Sequence, residues 1–170
     1  MNVRGKVLGI FGLLVAVVLF TGLMNPRFFS ADNLENVVQR TSLFGILGIG
    51  AALTIVTGGI DLSIGAVVGL AATLLPMMIE AGVPAPAAVL GVLGVGALLG
   101  AIHGLLITRV GLQPFVVTLC GLLVYRGIAR QISGDQTLGF GNDNEGLRSL
   151  ATGAPCSIGS FDVPAPMLLL

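Results

Sequence analysis

Apolar residues run along this chain in long, nearly uncharged stretches, without the alternation of a half-buried strand. Five such stretches lie at about 7–24, 42–57, 62–79, 87–108 and 115–130, and a sixth starts at 164–170. A helix needs about 20 mainly apolar residues to cross the hydrocarbon core. Each of the five comes close to that length. Backbone groups in lipid must be satisfied within the segment itself, so helices are the expected element. The pattern therefore predicts an all-α, polytopic transmembrane bundle.

The interruptions set the organisation. Asn25-Pro26 stops the first span, because the residue before a proline is pushed out of the helical region. Residues 27–40 gather Arg27, Asp32, Glu35 and Arg40, with Leu34, Val37 and Val38 at helical spacing. This reads as an interfacial amphipathic segment, capped by Ser30 or Asp32, that leads directly into the second span. Thr57-Gly58-Gly59-Ile60-Asp61-Leu62-Ser63 is the single break in an apolar run long enough for two crossings. The glycine pair ends one helix, and Asp61 or Ser63 can cap the next. Gly82, Pro84 and Pro86 mark one tight turn, and Arg109 to Pro114 another. Residues 131–163 read as a polar loop, and 164–170 as the start of a sixth span, left either by a broken gene or by a fragment of a longer protein.

Composition supports a lipid-embedded chain. Only 9% of residues are charged, where a soluble domain carries about a quarter, and the mean hydropathy is +1.02. The net charge is zero and no basic run occurs, so nucleic acid is not expected as a partner. Arg4 and Lys6 before an apolar run resemble the start of a signal peptide. No small-residue cleavage site follows, which leaves a retained first helix. Cys120 and Cys156 have neither metal spacing nor a disulfide framework, and Cys120 is expected as a buried packing residue in its apolar span. Phe28, Phe29 and Tyr125 are the aromatics near span ends, a thin belt at best.

Candidate chemistry is sparse. There is no phosphate-cradling glycine loop, no nucleophile elbow and no zinc-protease motif, so no catalytic residue, metal or cofactor is expected. Gly96, Gly100 and Gly104 share one face of the fourth span, and Gly65 and Gly69 one face of the third, ridges on which another helix can lie close. His103 sits on the same face as Gly96 and Gly100. An intramembrane ionisable residue is a functional candidate by default. With no acidic residue inside a span to relay protons, a neutral imidazole hydrogen-bonded to a neighbouring helix is the simpler role. Asp61 serves either as a helix cap or as a charge at a broken helix beside a permeation path. Basic residues do not orient the chain: with the N-terminus inside, Arg27, Arg40, Arg126, Arg130 and Arg148 outnumber Arg4, Lys6 and Arg109 on the wrong side.

Several stretches, in order, resemble the permease subunits of bacterial ABC sugar importers of the ribose and xylose type, within the branched-chain-amino-acid-like permease superfamily. They are Asn25-Pro26-Arg27-Phe28-Phe29, Asn33-Leu34-Glu35-Asn36-Val37, Thr57 to Gly65 through Gly-Gly-Ile-Asp-Leu-Ser, and Pro114-Phe115-Val116-Val117-Thr118-Leu119 followed by Arg126-Gly127. The resemblance implies the N-terminal half of a bundle of about ten helices with a cytoplasmic N-terminus, in the bacterial inner membrane. It implies a second permease copy, cytosolic ATP-binding subunits and a periplasmic or extracellular sugar-binding protein as partners. The function it implies is import of a monosaccharide by ATP-driven alternating access, with hydrolysis in the separate subunits. Gly58, Gly59, Asp61 and Ser63 become candidates for the translocation path or its gate. Such permeases more often carry Asn at the position of His103, and Gly-Thr at Cys120-Gly121. Two other readings remain: an ion-coupled secondary transporter using Asp61 and His103, or a non-functional truncated permease fragment.

Overall fold

A helix that is apolar all round has no face for water, and α1 (Val3–Met24) is of this kind. In the computed structural model it is followed by α2 (Ala31–Val56), α3 (Ile64–Glu80), α4 (Ala85–Thr108) and α5 (Pro114–Ser133). A short helix α6 (Glu145–Thr152), strands β1 (Cys156–Ile158) and β2 (Phe161–Val163), and α7 (Ala165–Leu169) complete the order. The structure describes residues 3–139, 144–153, 156–158 and 161–169. Helices α1, α2, α4 and α5 are long and apolar enough to cross a membrane, while α3 is shorter at 17 residues. The bundle is helical as the apolar pattern requires, and the described residues add one two-stranded antiparallel hairpin that pairs Cys156 with Val163.

Two segments differ from the sequence expectation. The interfacial segment 27–40 is not a separate element: α2 begins at Ala31 and runs unbroken through Val56. Ser30 starts it, its Oγ accepting from the Asn33 N–H at 3.4 Å, and no Gly-Pro signal lies between Arg40 and Thr57 to stop it. The loop 131–163 is not uniformly irregular either. Glu145–Thr152 forms the short helix α6, with the carboxylate of Glu145 in its first turn, next to the positive end of the helix.

The chain divides into two compact units, residues 1–43 with 150–170, and residues 44–149, with α2 contributing to both. In the first, Phe28 and Phe29 meet edge to face at 5.0 Å, and the buried Ser42 returns its hydroxyl to the Val38 carbonyl. In the second, α3 packs along α5 and α4 against both. Its interior mixes Leu70, Ala88 and Val117 with the buried polar side chains Ser63, His103 and Thr118. Lipid supplies no hydrophobic drive between helices, so close packing and interhelical hydrogen bonds must hold them. Large side chains such as Leu8 (73% exposed) and Leu23 (80%) on α1 point outward.

Candidate functional site: a cavity beside the helix break

The break is built by backbone capping. Gly58 takes φ +82°, a left-handed value that glycine adopts at no steric cost. This lets Gly59 N–H donate to the Thr54 carbonyl and Gly58 N–H to the Ile55 carbonyl, both at 2.9 Å, closing α2 in a Schellman motif. After the turn, Asp61 Oδ1 accepts from both the backbone N–H and the hydroxyl of Ser63 at 2.7 Å. Ser63 is the N-cap of α3, so Asp61 acts one step upstream of the helix, as an Asx-type turn next to its positive end. Helix α5 then ties the turn down. The Thr118 hydroxyl lies 3.0 Å from the Ile60 carbonyl and 2.9 Å from that of Pro114, close enough to donate to either.

About two turns further along α5, that helix and α4 are joined by a polar contact. Tyr125 OH lies 2.8 Å from His103 Nε2, and the two rings stack at 5.5 Å with 23° between their planes. Both residues are buried. Gly121 makes this possible: a Cβ there would lie 2.6 Å from His103 Nε2 and 2.8 Å from Cε1. His103 and Gly121 thus form one coupled feature, a ring on α4 facing a missing side chain on α5.

Between the break and this contact opens a cavity of about 400 Å³. Asp61 and Gly59 line it from the break, and His103, Gly100 and Gly104 from α4. Thr54, Thr57, Thr108 and Thr118 complete the polar wall, and Ile60, Ile107 and Pro114 the apolar one. Of the path candidates, Gly59 and Asp61 face the cavity, Gly58 makes the turn, and Ser63 is buried against Asp61. The glycine ridges differ from expectation. A Cβ added at Gly65, Gly69, Gly96, Gly100 or Gly104 meets nothing within 4 Å, so none marks a close helix approach among the described residues. Gly100 and Gly104 leave space for the cavity instead, and Gly65 and Gly69 for a second groove that Arg126 and Arg130 line.

Other side chains sit elsewhere than the sequence suggested. Cys120 is exposed rather than buried, since its side of α5 turns away from the seam that Gly121 and Tyr125 occupy. Tyr125 is no belt residue but a buried interhelical partner. Sequence spacing alone does not mark Thr118, Gly121 or Tyr125 for the site, although Thr118 lies in the Pro-Phe-Val-Val-Thr-Leu stretch.

Apolar helices around a capped break, with a partly polar cavity beside it, define a polytopic membrane protein. The chain belongs to the family described as branched-chain amino acid transport system / permease component, which matches residues 33–169. It is 32% identical over 142 residues to the ribose import permease protein of Haemophilus influenzae, covering 82% of this chain and 44% of that protein. It is 36% identical over 138 residues to the D-allose transport system permease protein of Escherichia coli K12, covering 79% and 42% respectively. With the fructose import permease protein of Rhizobium meliloti it shares 38% identity over 108 residues, 63% of this chain and 30% of that one. The chain therefore spans less than half the length of these relatives. No solved structure matches significantly. Family and apolar helices together make this a multi-pass protein of the bacterial inner membrane.

Proposed function

We propose that the chain supplies the membrane-spanning permease part of an ATP-driven importer that moves a ribose-like monosaccharide across the inner membrane. The observation that carries this reading is the similarity to permeases named for ribose, D-allose and fructose. The chain itself is no enzyme on this reading. Cytosolic ATP-binding subunits hydrolyse ATP, a periplasmic or extracellular sugar-binding protein delivers the solute, and a second permease copy completes the pathway. Gly58, Gly59, Asp61 and Ser63 shape the path or its gate. Two features support that role: the break is fixed at both ends by hydrogen bonds, and it adjoins the cavity. Helix ends that border a cavity can offer their caps and backbone groups to a polar solute.

The test is uptake of radiolabelled D-ribose, D-allose and D-fructose in cells lacking their own permeases, with the chain expressed beside its partner subunits. Uptake of at least one sugar should stop when ATP is depleted and persist when the proton gradient is collapsed. Uptake with the opposite pattern would establish an ion-coupled carrier in place of the importer, and no uptake of any of the three would leave it without its cargo.

A further inference from the structure

We propose that the cavity beside the helix break holds one neutral, polyhydroxylated solute within a single copy of the chain, its hydroxyls bonded to Asp61 and His103. The inference rests on the importer reading and deepens it, by placing a binding step inside one permease copy.

Size is the first argument. A cavity of about 400 Å³ is in the range of small-molecule sites, which are mostly apolar with a few convergent polar groups. Here the convergent groups have unused capacity. Asp61 spends only Oδ1 on Ser63, and Oδ2 has no hydrogen-bond partner among the described residues. His103 is 8% exposed, and its one hydrogen bond among those residues is to Tyr125 through Nε2, leaving Nδ1 without a partner. No buried side-chain nitrogen or oxygen lacks a partner among the described residues, so this unpartnered nitrogen keeps access to open space, and a solute in the cavity that His103 lines can bond it. When Tyr125 donates to Nε2, the neutral ring carries its proton on Nδ1 and offers a donor. A solute hydroxyl can give its proton to Asp61 while another solute oxygen accepts from His103.

The threonines decide the class of solute. Thr54 donates its hydroxyl to the Ala51 carbonyl at 2.8 Å, Thr57 to that of Thr54 at 2.8 Å, and Thr108 to that of Gly104 at 2.7 Å. Thr118 is likewise committed to the carbonyls of Ile60 and Pro114. Hydroxyls that have given away their proton offer only lone pairs. The wall is thus rich in acceptors, which suits a solute rich in O–H donors. It carries one carboxylate and no Lys or Arg, which disfavours an anionic solute.

The chain provides its own reporter. It has one tyrosine and no tryptophan, so its intrinsic emission comes from Tyr125 alone, bonded to the His103 ring that would meet the solute. We expect D-ribose, D-allose or D-fructose, titrated onto the full chain in lipid vesicles that hold no other protein, to change this emission saturably. Sodium gluconate, which brings both a cation and an anionic polyol, should not. Asp61→Asn keeps the turn but loses the charge, and should weaken binding about tenfold. Gly104→Leu and Gly100→Leu fill the cavity from positions where an added Cβ meets nothing, and each should abolish the change. A flat titration with all three sugars, a saturable response to sodium gluconate, or a sugar response unaltered in both leucine variants overturns the inference. A saturable sugar response without ATP-driven uptake upholds the site and removes only the importer reading. Uptake with a flat titration removes only the site.

Discussion

Two groups of glycines in this chain look alike in sequence and differ in what the structure asks of them. At the break and the α4–α5 seam, geometry demands glycine: Gly58 sits at φ +82°, and Gly121 lies under the His103 ring. Along the ridges of α3 and α4, an added Cβ at Gly65, Gly69, Gly96, Gly100 or Gly104 meets open space. The first group is needed for the local fold to form. The second keeps volume free in the cavity and the α3–α5 groove, where Gly96 alone lines neither. Glycine spacing alone therefore does not distinguish a contact from a gap.

The comparison breaks most sharply at Gly121. Gly121→Val forces its side chain into the His103 imidazole and against the Tyr125 ring, which an added Cβ already approaches to 3.0 Å. Overpacking of this kind costs about 3 kcal/mol. Thermal unfolding in detergent should show a drop in midpoint with Gly121→Val and none with valine at Gly96. Equal tolerance at both positions would mean the His103–Tyr125 contact is not formed. Gly58→Ala comes next. Placing a Cβ in the left-handed region costs about 1–2 kcal/mol, whereas Gly104→Ala, inside a helix with open space beside it, should gain up to about 1 kcal/mol. The sign difference between those two alanines is the cleanest check on the distinction.

The hydrogen bond across the seam is worth less. Tyr125→Phe keeps the stack and removes the hydroxyl from His103 Nε2, at a cost of about 1 kcal/mol in a membrane protein. A double-mutant cycle with His103→Phe isolates the pair, and a coupling indistinguishable from zero would assign the contact to packing alone.

Much of this architecture was legible from residues, and the reasons differ by region. Lipid removes the need for polar faces, so the apolar stretches alone announced membrane-spanning helices. The break was visible because Thr57 to Ser63 carries the turn-forming and capping residues within an apolar run, and capping is a local interaction. The seam was not, because it joins residues from two helices. His103 advertised a need for a hydrogen-bond partner, but nothing near it in sequence names Tyr125, and Gly121 reads as a glycine like the rest until the ring above it is placed. Cys120 shows the same limit from the other side. An apolar span in lipid does not bury every face, so hydropathy put it inside the protein while the helix phase turned it out.

The weakest difference lies at the end of α5, where the chain meets water. Arg130 Nε donates to Asp135 Oδ1 at 2.6 Å, across the turn that follows Ser133. The side chains are 66% and 63% exposed, so solvent screens the pair and its contribution to stability is small. The hydrogen bond from Arg130 holds the Asp135 carboxyl below its ordinary value. A carboxylate with a lowered value in the folded state stabilises above its unfolded value, and that stabilisation fades as pH falls through the folded one. The difference in unfolding midpoint between the parent chain and Asp135→Asn should therefore be present at neutral pH, and should shrink as the pH drops below the carboxylate range near 3.9. It should also shrink in about 1 M salt, where screening reaches within a few ångströms. Asparagine tolerates the same left-handed position, φ +58°, so a difference that survives both treatments would be assigned to the geometry of the carboxylate hydrogen bond and not to its charge.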